Sequence, residues 1–284
     1  MANLLSLNDF VKKFPSEEAC CEYLVHMRWP DGFKCPYCGN RGAYYIYSRK
    51  LFQCTLCRKQ TSVTAGTVFH KLRQPLVNLF WAVYLIASSK KGISAMELQR
   101  KLGIISYKTA WSLHHKIRLA MASRDEFPLT ENVEVEETCI TGRRPGKRAD
   151  NEKGNSHICA AVEIKGCYMG RAYLKNIEHP SDDSLTMFIS EKVDPDAKIK
   201  TVVPSYTSHN ILDKNPLQKI HIIVSNLRMW LLGTYNCLPS KHLQKYLDEF
   251  AFRFNRRRYL GNIFDYLLIG CISTHTRTYT ELTT

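Results

Sequence analysis

Four cysteines have the spacing of a metal site. Cys35-Pro-Tyr-Cys38 is followed, after 15 residues, by Cys54-Thr-Leu-Cys57. Two such turns can bring four thiolates around one Zn²⁺ in a tetrahedron, with Zn–S bonds of about 2.3 Å. Four thiolates leave no open coordination position, so this metal is expected to be structural. The alternative, four unrelated buried cysteines, gives no reason for the spacing. Gly39 follows the first pair, where a tight turn calls for positive φ. The remaining cysteines, Cys20, Cys21, Cys139, Cys159, Cys167, Cys237 and Cys271, show no ligand spacing with one another and are expected to pack.

A second group has the chemistry to grip phosphate. Over Tyr107 to Met121 the residues Ala110, Leu113, Ile117, Ala120 and Met121 share one helical face. Lys108, Trp111, Ser112, His115 and Lys116 cluster opposite, with Arg118 at the margin. Ala95 to Leu102 forms a shorter helix before it, Gly103 can end that helix, and Ser106 can cap the next. A short helix, a glycine turn and a second helix with a basic outer face is the helix-turn-helix pattern, whose second helix enters the major groove. An ordinary helical bundle with a solvated charged face has the same pattern.

The elements that would hold these groups can be read in order. Ala43 to Ser48 and Leu51 to Gln53 read as two short strands joined by Ser48-Arg-Lys50, the layout of a zinc ribbon. Leu76 to Ala87 reads as an apolar helix that Pro75 can start. From Glu131 the period changes to that of strands: Val133 and Val135 alternate with Glu134 and Glu136. His157 to Ile164 and Cys167 to Leu174 follow as strands turned at Lys165-Gly166. Ser184 to Ser190 suits a helix and Ala197 to Val203 a fourth strand, with Ile220 to Val224 as a fifth. Pro239-Ser240 then opens a helix with Leu243, Tyr246, Leu247, Phe250 and Phe254 on one face.

Composition agrees with a nucleic-acid partner. The chain has 284 residues and carries 40 Lys+Arg against 26 Asp+Glu, a formal charge of +14. The charge is +5 over residues 1–72, +6 over residues 73–130 and +3 over residues 131–284. A polyanion, either nucleic acid or an acidic membrane surface, is the expected partner, gripped mainly by the N-terminal half. A hydrophobic content of 44% with 14 Gly and 11 Pro excludes a collagenous or broadly disordered chain. The longest apolar-rich run, Val77 to Ser89, is shorter than the roughly 20 residues of a bilayer span. No secretory signal is visible, and 11 cysteines, an odd number, then argue for reduced thiols and a cytoplasmic, nucleoid-associated protein if the source is bacterial.

Four motifs carry a resemblance: Val133-Glu-Val-Glu-Glu-Thr138, Gly142-Arg-Arg-Pro-Gly-Lys-Arg148, Ser225-Asn-Leu-Arg-Met-Trp-Leu-Leu-Gly233 and Tyr246-Leu-Asp-Glu-Phe-Ala-Phe-Arg-Phe-Asn-Arg-Arg257. The chain resembles insertion-sequence transposases that join an N-terminal zinc ribbon to a DDE-type RNase H-like core, the bacterial relatives of Merlin transposons, in their Asp-Asp-Asn-Lys-type subgroup. The resemblance implies a multidomain α+β and α/β architecture: a zinc-ribbon domain over residues 1–72, a helix-turn-helix-like segment over residues 73–130, and an RNase H-like catalytic-type domain over residues 131–284. It implies binding of double-stranded DNA at transposon ends and target, a homodimer or higher assembly on paired ends, and no membrane. It also implies two Mg²⁺ or Mn²⁺ about 3.5–4 Å apart, held by carboxylates, for strand cleavage and transfer.

By the same resemblance Glu136 stands at the first acidic position, where the family has Asp. Its extra methylene moves the carboxylate by about 1 Å, a displacement that can cost about 10²-fold in rate. The second position falls on Pro204, which has no carboxylate. Asn226 matches the third position, and Arg228 replaces the family's Lys. Two readings stay open: an active transposase with an unusual site, and a transposase-derived DNA-binding or regulatory protein without strand transfer. The loop carrying Arg143, Arg144, Lys147 and Arg148 would follow the first active-site strand and grip phosphate, or be a solvated charge run. Arg253 and Arg256 to Arg258 would bind DNA or offset a helix dipole.

Overall fold

The computed structural model describes residues 5–122, 127–141, 155–178, 181–201, 218–235 and 238–283. The chain divides into two compact units: Met1–Ser89, Ala95–Ala120 and Tyr259–Thr284 form the first, and Lys90–Ser94 with Met121–Arg258 the second.

In the first unit, α1 (Leu7–Lys13) and α2 (Glu17–Arg28) start where Ser6 and Ser16 accept backbone N–H groups of the first turn. The ribbon follows: β1 (Ala43–Ile46), β2 (Leu51–Cys54) and β3 (Gln60–Ser62), all antiparallel in that order. The first strand is shorter than expected, because Tyr47–Arg49 tightens into a 3-10 turn and Lys50 takes a left-handed φ of 52°. The third strand, only three residues long, was too short to show a period. The inner row Tyr45, Phe52 and Thr61 packs toward Phe33 and Trp29, with Phe52 stacked on Phe33 at 5.2 Å. The half-buried guanidinium of Arg28 donates to the carbonyls of Ser62, Val63 and Ala65, which ties α2 to the chain after β3.

Helices α3 (Leu76–Ser88), α4 (Ala95–Leu102) and α5 (Tyr107–Ala122) fall where apolar spacing placed them. Gly103, at φ 62°, ends α4. The C-terminal domain expected over residues 131–284 differs from this division, in which the residues from Tyr259 onward belong to the first unit. There α9 (Ile263–Ser273) packs against α3, and α10 (Tyr279–Thr283) closes the chain. Phe264 joins Phe10, Phe14 and Phe80 in one aromatic core, with ring separations of 5.5–6.0 Å. Such contact across the whole chain length leaves no local signal in sequence.

The second unit is built on one sheet. Strands β4 (Asn132–Thr141), β5 (Asn155–Lys165) and β6 (Tyr168–Ile177) form an antiparallel meander. Helix α6 (Asp182–Lys192) leads to β7 (Lys198–Thr201), which lies parallel to β4, giving the order β6-β5-β4-β7. Helices α7 (Gln218–Thr234) and α8 (Ser240–Asn255) complete the unit. One sheet face packs Val133, Val135, Cys159 and Ala161 against Leu185 and Phe188 of α6. The other packs Ile158, Ala160, Val162 and Leu174 against α7 and α8. β5, covered on both faces, therefore reads as a nearly unbroken apolar run.

The expected fifth strand at Ile220 to Val224 is instead part of α7. Its β-branched run suggested a strand, but Ile220, Ile223, Val224, Leu227 and Leu231 are the buried positions. That is helical spacing, and it outweighs the weaker preference of β-branched side chains. No helix among the described residues is long and apolar enough to cross a membrane.

Candidate functional site

The four ribbon cysteines converge. Cys35, Cys38, Cys54 and Cys57 place their sulfurs within 4.8 Å of one another. Cys35 and Cys57 are 3.6 Å apart, as are Cys38 and Cys54. A tetrahedron with bonds of about 2.3 Å has edges of about 3.8 Å, so the set fits Zn²⁺. Gly39 takes the expected positive φ of 74°, and the backbone N–H groups of Gly39 and Arg58 close the two turns on the carbonyls of Cys35 and Cys54. Burial opposes ionisation of the Cys54 thiol. Backbone N–H groups of Cys57 and Leu56 and the Asn40 amide outweigh that and bring its pKa down to about 6. A thiolate ready at neutral pH is what a zinc ligand needs.

Most of the basic face of α5 is not presented to solvent. His115, Lys116 and Arg118 are buried, and Ser112 is half-buried. The Lys116 ammonium donates to Thr276 Oγ1 at 2.9 Å, and burial lowers its pKa. Lys108 remains exposed, with Nζ 4.0 Å from the centre of the Tyr279 ring, and Trp111 meets Tyr279 edge-on at 5.7 Å. The expected DNA-reading face is thus lined by the chain's own C-terminal segment. A helical wheel drawn on one segment cannot show that.

In the second unit β4 aims one row of side chains at α7. Glu134 accepts the backbone N–H groups of Lys219 and Ile220 at 3.0 and 2.9 Å, in the first turn of α7. Glu136 Oε2 lies 3.3 Å from His221 Nδ1, out of line for a hydrogen bond, and is buried. The Arg228 guanidinium donates to Thr138 Oγ1 at 3.0 Å and to the Cys139 carbonyl at 2.9 Å. Burial raises the pKa of Glu136, His221 and Arg228 draw it back down, and Glu134 raises it again. Glu137 points to the opposite face, 3.9 Å from His157. Asn226, the expected third position, is exposed. A helix turns about 100° per residue, so Asn226 lies about 140° around α7 from His221, whereas Arg228 lies within about 20° of it. His221 is the α7 residue that meets Glu136. Its signal was the seven-residue step to Arg228, hidden by reading residues 220–224 as a strand.

Two stretches of the chain match transposase domains. Residues 15–60 match a transposase zinc-ribbon domain, and residues 202–255 match an ISXO2-like transposase domain. No curated protein and no solved structure matches the chain.

The second transposase match ends at Asn255, and the structure gives that end a role. α8 covers the free edge of β6 with side chains. Gln244 accepts the N–H of Asn176 and donates to the Leu174 carbonyl, while Asn255 accepts from and donates to Ala172. Arg257 donates to the carbonyls of Gly170 and Met169. These bonds satisfy an edge that would otherwise pair with another chain. Arg253 bridges buried Glu249 at 2.8 Å, Arg256 stacks over Phe252 and Arg258 over Tyr168. The arginines of this motif therefore serve packing and edge closure.

Cys20, Cys21, Cys159 and Cys271 are buried as expected, but Cys167 is exposed at the turn between β5 and β6. Pro204, Arg143, Arg144, Lys147, Arg148 and Cys237 lie outside the described residues.

Proposed function

We propose that this chain derives from a DDE-type insertion-sequence transposase of the zinc-ribbon group related to Merlin transposons, and that it binds duplex DNA without two-metal strand transfer. The observation that carries the loss of transfer is the setting of Glu136. Its neighbours from α7 are an imidazole and a guanidinium. The one other carboxylate on that row, Glu134, is committed to the α7 N-terminus. Among the described residues this arrangement does not fit a pair of Mg²⁺ or Mn²⁺ ions, because each needs several oxygen ligands. Pro204, at the family's second acidic position, adds no oxygen from a side chain.

An RNase H-like core is supported by the strand order β6-β5-β4-β7, with a meander followed by a parallel strand, and by helices on both faces. DNA binding is supported by the +14 charge and the two transposase matches, and structural zinc by the cysteine geometry. A homodimer holding paired DNA ends would follow from that ancestry. The test is incubation of the protein with Mg²⁺ or Mn²⁺ and its flanking inverted-repeat DNA. Binding without 3′-end nicking is expected. Nicking that is abolished by Glu136→Ala would overturn the reading.

A further inference from the structure

The exposed face of the zinc ribbon is built to lie against a polyanion. Between Asp31 and Glu97 the chain contains no carboxylate side chain. Within the ribbon itself Lys34, Arg41, Arg49, Lys50, Arg58 and Lys59 are all exposed. Four thiolates on one Zn²⁺ carry a net charge of −2, which a few cations could offset locally, but six exceed that need.

The arrangement is more specific than the charge. Strand register puts Tyr44, Gln53 and Gln60 in one row across β1, β2 and β3. Their neighbours in register, Tyr45, Phe52 and Thr61, form the inner row, so this row is the outer one. Tyr44 is 64% exposed, and Gln60 Nε2 donates to Gln53 Oε1 at 3.4 Å. At one end of the strands the hairpin tip carries Tyr47, 82% exposed, with Arg49 and Lys50, the latter 3.4 Å from Glu18. At the other end Arg58 and Lys59 follow the second cysteine pair, and Lys59 Nζ lies 4.4 Å from the centre of the exposed Tyr37 ring. Four strand residues at about 3.4 Å each separate the two ends by about 14 Å. A B-DNA major groove is about 12 Å wide and admits a β-ribbon, and glutamine amides suit the adenine edge.

We infer that the outer face of the β1–β3 ribbon, and not α5, is the surface that docks in the major groove of duplex DNA. Arg49 at the tip and Arg58 with Lys59 at the cysteine end meet phosphates on the two sides of the groove, and Gln53 and Gln60 face the bases. This rests on the DNA-binding reading above and names the surface responsible.

The experiment uses the full chain, loaded with zinc, and fluorescence anisotropy on a 30-bp random-sequence duplex across 50–200 mM salt. Arg49→Gln and Arg58→Gln/Lys59→Gln keep side-chain length and remove charge. Each lost phosphate contact should lower the salt slope by about one, so the double variant should lose about two. Gln53→Ala/Gln60→Ala should leave affinity for the random duplex within about threefold, while flattening by about tenfold the preference for sequences selected from a duplex library. Zinc content of one per chain in every variant shows that the ribbon is intact. Unchanged affinity and salt slope in the charge variants, while the unaltered protein binds, would overturn the ribbon assignment alone. Tighter binding to the single strand than to the duplex, lost on Tyr44→Ala, would overturn the groove-docking mode. Failure of the unaltered protein to bind either DNA would remove the proposed function as well.

Discussion

Adding Mg²⁺ should leave the stability of this protein unchanged, and the reason can be worked from the β4–α7 row. A divalent ion at Glu136 would have one carboxylate for it and the Arg228 guanidinium against it. Arg228 is anchored at Thr138 and Cys139, two and three residues along the strand from Glu136. Two strand residues span about 7 Å. At an effective dielectric constant of about 20, a +2 and a +1 charge at that distance repel by about 5 kcal/mol. Arg228 is exposed on one side, so solvent screening removes at least half, leaving about 2 kcal/mol. That is roughly thirtyfold in dissociation constant. A site of 0.1 mM affinity in 10 mM Mg²⁺ would stabilise the fold by about 2.7 kcal/mol. For units of this size that corresponds to several degrees in melting temperature. Thermal unfolding followed with 0 and 10 mM Mg²⁺ should show a shift below about 1 °C, in the unaltered protein and in Glu136→Gln alike. A rise of several degrees that Glu136→Gln abolishes would refute the argument.

Other consequences are equally direct. Glu134→Ala removes two charge-assisted bonds at the N-terminus of α7 and should cost about 2–4 kcal/mol in urea denaturation; a loss under about 0.5 kcal/mol would show that α7 is held otherwise. Burial pushes the Asp248 carboxyl up to about 6, against the Gln244 amide and Lys192. The folded state therefore holds that proton more tightly than the unfolded chain, and stability from this group falls as pH rises from about 4 through 6. Asp248→Asn should flatten that fall and stabilise the protein by about 1–3 kcal/mol at pH 8, which denaturation at pH 5 and pH 8 checks. Cys54→Ser should lose the single zinc and unfold the ribbon, seen by native mass spectrometry and proteolysis; a metal-free, protease-resistant variant would contradict the zinc geometry. Lys116→Met should keep DNA affinity within twofold because the ammonium is spent on Thr276, whereas a fivefold loss at unchanged stability would return α5 to the DNA surface.

What was legible in the sequence depended on whether the cause was local. The cysteine pairs, the turn at Gly39, the helices α3 to α5 and the meander β4 to β6 each follow from spacing within a few turns or strands, and each is present. The errors come from causes that act at a distance. α5 has the alternating pattern of an amphipathic helix, but its basic side is lined by Thr276 and Tyr279, more than 150 residues away in sequence. α9 is apolar on most sides because it is buried against α3, so no stripe marked its partner. Residues 220–224 look like a strand residue by residue, and only the buried spacing through Leu231 reveals a helix.

The row Glu134, Glu136 and Thr138 shows how this strand can be tied to α7 without a metal ion. In a two-metal site, carboxylates are held close together by the cations between them, and losing the cations leaves a repulsive cluster. Here the β4 row holds α7: Glu134 on its first turn, Glu136 beside His221, and Thr138 with the Cys139 carbonyl under Arg228. The positive partners of this row come from α7 itself: the backbone N–H groups of its first turn and the Arg228 guanidinium. The contacts of this row with α7 are thus complete without a divalent ion, in keeping with the proposed loss of strand transfer. The zinc ribbon has no such substitute. Its sheet buries only a small core around Phe33, Phe52 and Tyr45, so the four thiolates must still meet a metal for the ribbon to fold.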